Sequence, residues 1–229
     1  MLSSKWRLLG GIVALLGSAI GQLAQYLVAP AHVSGGTAAD QVAAVAGHDS
    51  RINAAIWLDL PILLVIPAAL YLGLVAGART SRLAATGAAI TFVGSLGAGY
   101  LLALDPLIAL AGRVEPRDGA VALVSAYESS AVANVMVVVG VLGTALGYIL
   151  LGVAMFRTRT VARWVGLAVV VSVVLEVGGQ AVGIDAVAVA AYVIRVVAFV
   201  MCAAALVRLR REAPGLAPSA LAPAAAAAA

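Results

Sequence analysis

The chain has 229 residues, of which 64% are hydrophobic and only 10% charged, with a mean hydropathy of +1.11 and a net charge of +4. Soluble domains run near ~45–50% apolar and ~25% charged, so this composition excludes a water-soluble globule, a disordered chain and a coiled coil. It predicts an integral membrane protein whose first partner is the lipid bilayer.

A membrane helix needs ~20 mostly apolar residues. Six segments qualify, at 6–29, 52–76, 83–104, 131–156, 161–182 and 186–207. They are continuous rather than alternating, which predicts helices and not the strands of a closed barrel. The expected fold is all-α, a polytopic bundle of six transmembrane helices over 1–212, with an Ala/Pro-rich low-complexity tail at 213–229 read as disordered. The first segment has Lys5 and Arg7 before it and Ala29-Pro30-Ala31 after it, as in a signal peptide. Its apolar stretch is longer than a signal core, so a retained helix is expected over a cleaved one.

The basic residues set an orientation. Lys5, Arg7, Arg79, Arg82, Arg157, Arg159, Arg163, Arg208, Arg210 and Arg211 fall on one side, ten of the fourteen Lys and Arg. Arg51, Arg113 and Arg117 fall on the other, among Asp40, Asp49, Glu115, Asp118 and Glu128. The positive-inside rule then predicts cytoplasmic termini and a multi-pass protein of a bacterial inner membrane. The longer connections, 30–50 and 105–130, lie outside. Within the second, 119–130 is apolar enough for a short interfacial helix or an extension of the fourth span. Gly17 with Gly21, Gly73 with Gly77 and Gly143 with Gly147 are small-xxx-small pairs, read as packing within the bundle.

Several chemistries are excluded. One cysteine, Cys202, allows no intramolecular disulfide, and the only lysine, Lys5, lies outside the apolar runs, so no retinal Schiff base is expected. His32 and His48 lie in a polar connection, which excludes bis-histidine haem ligation within the helices; with Asp40 and Asp49 they match no metal motif, so no metal or other cofactor is expected. Gly94-Ser95-Leu96-Gly97 surrounds a serine with glycines, but no helix holds a histidine base. The Asp-rich pairs of intramembrane prenyl transferases are absent. Aromatics at 5% are too sparse for a base-stacking surface, so no nucleic acid is expected.

Charged groups inside the apolar runs carry the chemistry, because each costs ~2.5–3.5 kcal/mol on insertion scales. Asp59, Glu176 and Arg195 are the three, at depths of ~9–14 Å from the outer boundary at 1.5 Å per residue. Ser172, Glu176 and Gln180 form one i, i+4, i+8 stripe. Tyr192 shares the face of Arg195, Gln22 and Gln25 lie in the outer part of the first helix, Asn134 lies near the outer start of the fourth, and Asp105 and Glu128 are placed above the layer as a cap. Pro61 and Pro67 each remove an amide donor, which predicts a kink just below Asp59. One arginine faces two carboxylates. Arg195 is expected to pair with Glu176 on the adjacent helix, either as a functional group or as a buried pair that fixes register. Asp59 is then a protonatable acid in an apolar pocket.

Two resemblances bear on function. The stretches RINAAIWLDLPILLVIPAALYLG at 51–73 and GYILLGVAMFRTRTVARWVG at 147–166 resemble a class of bacterial multi-pass membrane proteins defined by a domain of unknown function. This implies the fold and no activity. Asp59 and Glu176 also resemble the acids of small integral-membrane terpene cyclases, helical bundles that use intramembrane carboxylates as proton donors. That resemblance implies Asp59 and Glu176 as catalytic groups, with Trp57, Tyr100 and Tyr192 as the aromatic lining.

The expected function is binding of a small or amphipathic ligand, lipid-like in some cases, in an outward-facing polar pocket lined by Arg195, Tyr192, Gln180, Gln22, Asn134, Trp57 and Asp105, for transport, sensing or an accessory role. The alternatives are an intramembrane enzyme that uses Asp59 or Glu176 as a general acid, as a terpene-cyclase-like isomerase would, and a structural subunit of a membrane complex.

Overall fold

The computed structural model describes residues 4–30, 36–77 and 81–212. His32, Arg79, Ala31 of the Ala-Pro-Ala motif and the 213–229 tail lie outside the described residues. The described residues form helices and no strands. The order is α1 (Ser4–Val28), α2 (Ala38–Val45), α3 (Asp49–Ile62), α4 (Val65–Val75), α5 (Arg82–Ser95), α6 (Gly99–Ala111), α7 (Arg117–Glu128), α8 (Ala131–Val138), α9 (Thr144–Thr158), α10 (Arg163–Val182) and α11 (Asp185–Glu212).

Five continuous stretches are long and apolar enough to cross a membrane: Lys5–Val28, Asp49–Val75, Ala131–Thr158, Arg163–Val182 and Asp185–Arg211. The expected third span at 83–104 is not one helix. It divides into α5 and α6 at a 3-10 turn, Leu96–Ala98, and α6 runs on to Ala111. This corrects the placing of Asp105 in an outer loop. Pro106 does not end the helix, because its missing amide leaves one carbonyl unpaired and the surrounding helices hold the segment in place.

The helices close into a ring. α1 packs on α3 and α4, α4 on α5, α5 on α9, α9 on α10, α10 on α11, and α11 returns to α1. One half of the ring has a solid core around Leu15, Leu72, Tyr148, Leu151, Met155 and Phe199. At the other end α2, α6, α7 and α8 build a second apolar cluster around Val42, Leu104 and Val124. Large apolar side chains such as Leu142, Val132 and Val182 face outward. Such an exterior suits hydrocarbon, since a soluble monomer rarely carries apolar patches of this extent.

Local chemistry explains the breaks. Pro61 and Pro67 withhold amides from the carbonyls of Trp57 and Leu63, and the second span divides at Leu63–Leu64. In the fourth span a π-helical turn, Val139–Gly143, separates α8 from α9. Ser130 caps α8 by accepting from the Ala133 amide, so the 119–130 segment is a separate helix, α7, and not an extension of the fourth span.

The first connection holds a helix that the hydropathy pattern does not announce. Thr37 accepts from the Asp40 amide, and Asp40 accepts from the Thr37 amide (2.8 Å) and hydroxyl (2.7 Å). This is a capping box, legible as Thr-x-x-Asp ahead of Val42 and Val45. The Thr37 hydroxyl, then the Thr37 amide, hold the Asp40 carboxyl below its ordinary value. A depressed carboxylate stabilises the fold above the ordinary aspartate range and stops doing so as pH falls through its folded value. The protection factors of the amides over residues 41–45, with the intrinsic slowing of exchange toward acid pH divided out, are therefore expected to fall at acid pH in the wild type. In Asp40→Ala they should be low already at neutral pH, with no acid-dependent step; an Ala variant as protected as the wild type refutes the cap.

Candidate functional site

A cavity of about 290 Å3 lies inside the ring, between α1, the α3–α4 break, the α5–α6 turn, the π turn, α9, α10 and α11. Each irregular backbone segment borders it. Ile62 and Val65 flank one break, Ser95 and Gly97 another, and Gly140 and Val141 belong to the π turn. Helix breaks inside an apolar bundle are tolerated where they line a cavity, because the freed carbonyls need not face an apolar exterior.

Arg195 is 2% exposed, and its two terminal nitrogens are both engaged. One terminal nitrogen forms an ion pair with Glu176 of α10. The other donates to Gln22 Oε1 of α1 at 2.8 Å. Its guanidinium lies 5.4 Å from the ring centres of both Tyr148 and Tyr192, so two aromatic faces cover it. Gln180 donates to the Tyr192 hydroxyl at 3.2 Å, Tyr192 stacks at a tilt on Tyr26, and the Tyr26 hydroxyl donates to Asp185 at 2.8 Å. Two buried donors on this side, Arg195 Nε and the Tyr148 hydroxyl, have no acceptor.

The second polar group is a pair of carboxyls. Asp59 of α3 is 2% exposed and Asp105 of α6 is 6% exposed. They are brought near each other where α3 packs on α6. Asp105 accepts from Gln25 Nε2 at 3.1 Å, whereas neither oxygen of Asp59 receives a donor. Ionised carboxylates accept only, so a hydrogen bond between the two requires a proton on one of them. Asp105 lines the cavity and Asp59 is not part of the lining.

The structure brings together Arg195, Glu176, Tyr192, Gln180, Gln22 and Asp105 around one cavity. It does not bring in Trp57 or Asn134. Trp57 is 69% exposed and points away from the bundle. It stands two positions before Asp59, a rotation of about 200° at 3.6 residues per turn, so the two cannot share a face. Asn134 is exposed and donates to the Ser130 carbonyl of its own helix end at 3.1 Å. Glu128 accepts from Gln41 of α2 at 2.9 Å and is no part of the lining. Ser172 is buried and donates to the Val169 carbonyl, so the stripe of α10 contributes only Glu176 and Gln180. Sequence reasoning missed Tyr26 and Tyr148 as lining residues. A lone tyrosine inside an apolar run is the signal that marks them, since its hydroxyl must find a partner or a cavity.

Loop residues named with metals in mind are otherwise engaged. Asp49 pairs with Arg113 at 2.7 Å, Asp40 caps α2, and the His48 ring meets the Ala46 carbonyl. Ser95 donates to the Thr91 carbonyl at 2.6 Å.

Fold and site together define a class: an all-α bundle with helices long and apolar enough to cross a membrane, built around a polar cavity. No protein-family model, curated protein or solved structure matches the chain.

Proposed function

We propose that the protein is a multi-pass protein of a bacterial inner membrane that binds a small or amphipathic ligand in this cavity. In this reading the split third segment also spans, giving six transmembrane segments with both termini in the cytoplasm. The basic residues Arg82, Arg157, Arg159, Arg163 and Arg208 then share the cytoplasmic side, and the cavity opens toward the outside. The observation that carries the reading is a cavity of about 290 Å3 walled by Arg195, Glu176, Gln22, Gln180, Asp105 and tyrosine side chains. Polar groups gathered around a cavity inside an apolar bundle are costly unless a ligand or a partner answers them.

Native mass spectrometry of protein released from membranes in mild detergent tests this. A retained small-molecule adduct is expected in the wild type and is lost in Ala145→Trp, which fills the cavity. A thiol placed at Ala145 in a Cys202→Ser background should react with an impermeant maleimide added to intact cells. Labelling only in inverted vesicles reverses the orientation, and an adduct that survives Ala145→Trp removes the cavity as its site.

A second reading rests on a specific observation. Four tyrosines, Tyr26, Tyr100, Tyr148 and Tyr192, line the cavity that Asp105 faces. Aromatic faces around an acid that holds a proton suit general-acid chemistry on an apolar substrate, with carbocation-like charge met by the rings. In that reading Asp59 acts through Asp105, and Glu176 is less suited to donate because it is already engaged with Arg195.

A further inference from the structure

The charges around the cavity do not balance. Arg195 answers Glu176, and its remaining interactions go to Gln22 and two tyrosine faces. Among the described residues, Asp59 and Asp105 pair with no cation. From α1 the uncharged Gln25 donates to Asp105; Tyr100 of α6 lines the same cavity and stacks on Tyr127 of α7, whose Glu128 accepts from Gln41. On α3 itself the nearest charge is Arg51, which donates to the carbonyls of Val28 and Ala29. Glu176 and Arg195 reach the same cavity from α10 and α11. The second observation is Asp59, almost fully buried, to whose oxygens no N–H or hydroxyl of the described residues donates.

Two buried carboxyls without a counter-ion need positive charge, and protons supply it when the cavity holds nothing else. An organic cation is the other source. Asp105 gives it a counter-ion on the wall. The tyrosine rings offer negative faces to an ammonium head, and Val65, Val141 and Val177 offer contact to an apolar body. A buried site tolerates little change in net charge, so a monocation entering it replaces a proton.

We propose that the cavity takes an organic monocation, its ammonium group seated against Asp105, and that its entry displaces one proton from the Asp59–Asp105 pair to solvent. Charge balances: one cation enters, one proton leaves, and no covalent bond forms. This deepens the ligand-pocket reading and rests on it.

The test is isothermal titration calorimetry on the purified full chain in detergent with three probes of one shape: benzyltrimethylammonium, phenylmethanesulfonate and benzyl alcohol. The ammonium probe is expected to bind at least tenfold tighter than the other two. Its affinity should rise about tenfold per pH unit over the range in which one proton is released, the slope that linkage requires. The measured heat should vary with the ionisation heat of the buffer. Asp105→Asn should weaken binding at least tenfold and flatten the pH dependence, while Asp105→Glu should restore both. If the Asn variant does not fold, the wild-type pH slope decides alone. Equal or tighter binding of the sulfonate or the alcohol, or a flat wild-type slope, overturns the cation inference and leaves the pocket standing. Binding of none of the three overturns the pocket as well.

Discussion

Replacing Arg195 by leucine is expected to destabilise the bundle by about 3–5 kcal/mol, the cost of leaving one partner of a buried pair uncompensated. The loss has three physical parts. Glu176 keeps its place on α10 without the guanidinium that faced it. Gln22 Oε1 loses the donor that tied α1 to α11. Tyr148 and Tyr192 lose the cation between them. The double variant Arg195→Leu with Glu176→Leu removes both charges, and a buried pair replaced by apolar groups of similar size is often neutral or better. The double variant should therefore recover most of the stability lost by the single one. A double-mutant cycle read by thermal unfolding in detergent decides the matter, since contacting residues show coupling of about 0.5–3 kcal/mol. Strictly additive losses would refute the pairing.

This pair was legible in the sequence because a charge inside an apolar run has few ways to be satisfied. Glu176 and Arg195 lie on consecutive helices, and consecutive helices pack side by side. Gln22 was legible as a polar residue at the same depth in the first span. The carboxyl pair was only half legible. Asp59 stands out as a charge inside an apolar run, but Asp105 falls at the start of the outer connection 105–130, and nothing in the local pattern says that α6 continues through it. The break at Leu63–Leu64 followed from two prolines, whereas the π turn at Val139–Gly143 has no local signal beyond its glycines. Trp57 was misplaced for a reason already in the sequence: helical rotation puts it on the face opposite Asp59. The cavity itself is a product of three backbone irregularities meeting at one level, which no single segment encodes.

Those irregularities meet because α5 and α9 approach until their backbones touch, and this contact carries the other large expected effect. A Cβ on Gly147 would lie 2.2 Å from the Thr91 hydroxyl oxygen and 2.5 Å from the Thr91 amide nitrogen. One on Gly94 would lie 2.3 Å from the Thr144 amide nitrogen, and one on Gly97 would lie 2.4 Å from the Gly140 Cα. The neighbours are mainly backbone atoms, which cannot turn aside as a flexible side chain does. Gly147→Leu is therefore expected to force α5 off α9 and to cost at least the ~1–3 kcal/mol of an overpacked core. Because Gly94, Gly97 and Gly140 also line the cavity, the same separation should widen it. The control is Gly178 in α10, where an added Cβ meets nothing within 4 Å. Gly178→Ala lies in a helix interior and should stabilise the bundle by roughly 0.4–1 kcal/mol, by restricting the unfolded chain. Thermal unfolding of the two variants in the same detergent gives the stability comparison. A thiol at Ala145, on the cavity wall, should react faster with maleimide in the Gly147→Leu background than in the wild type. Wild-type stability together with an unchanged labelling rate in Gly147→Leu would mean that the helices do not meet at this seam.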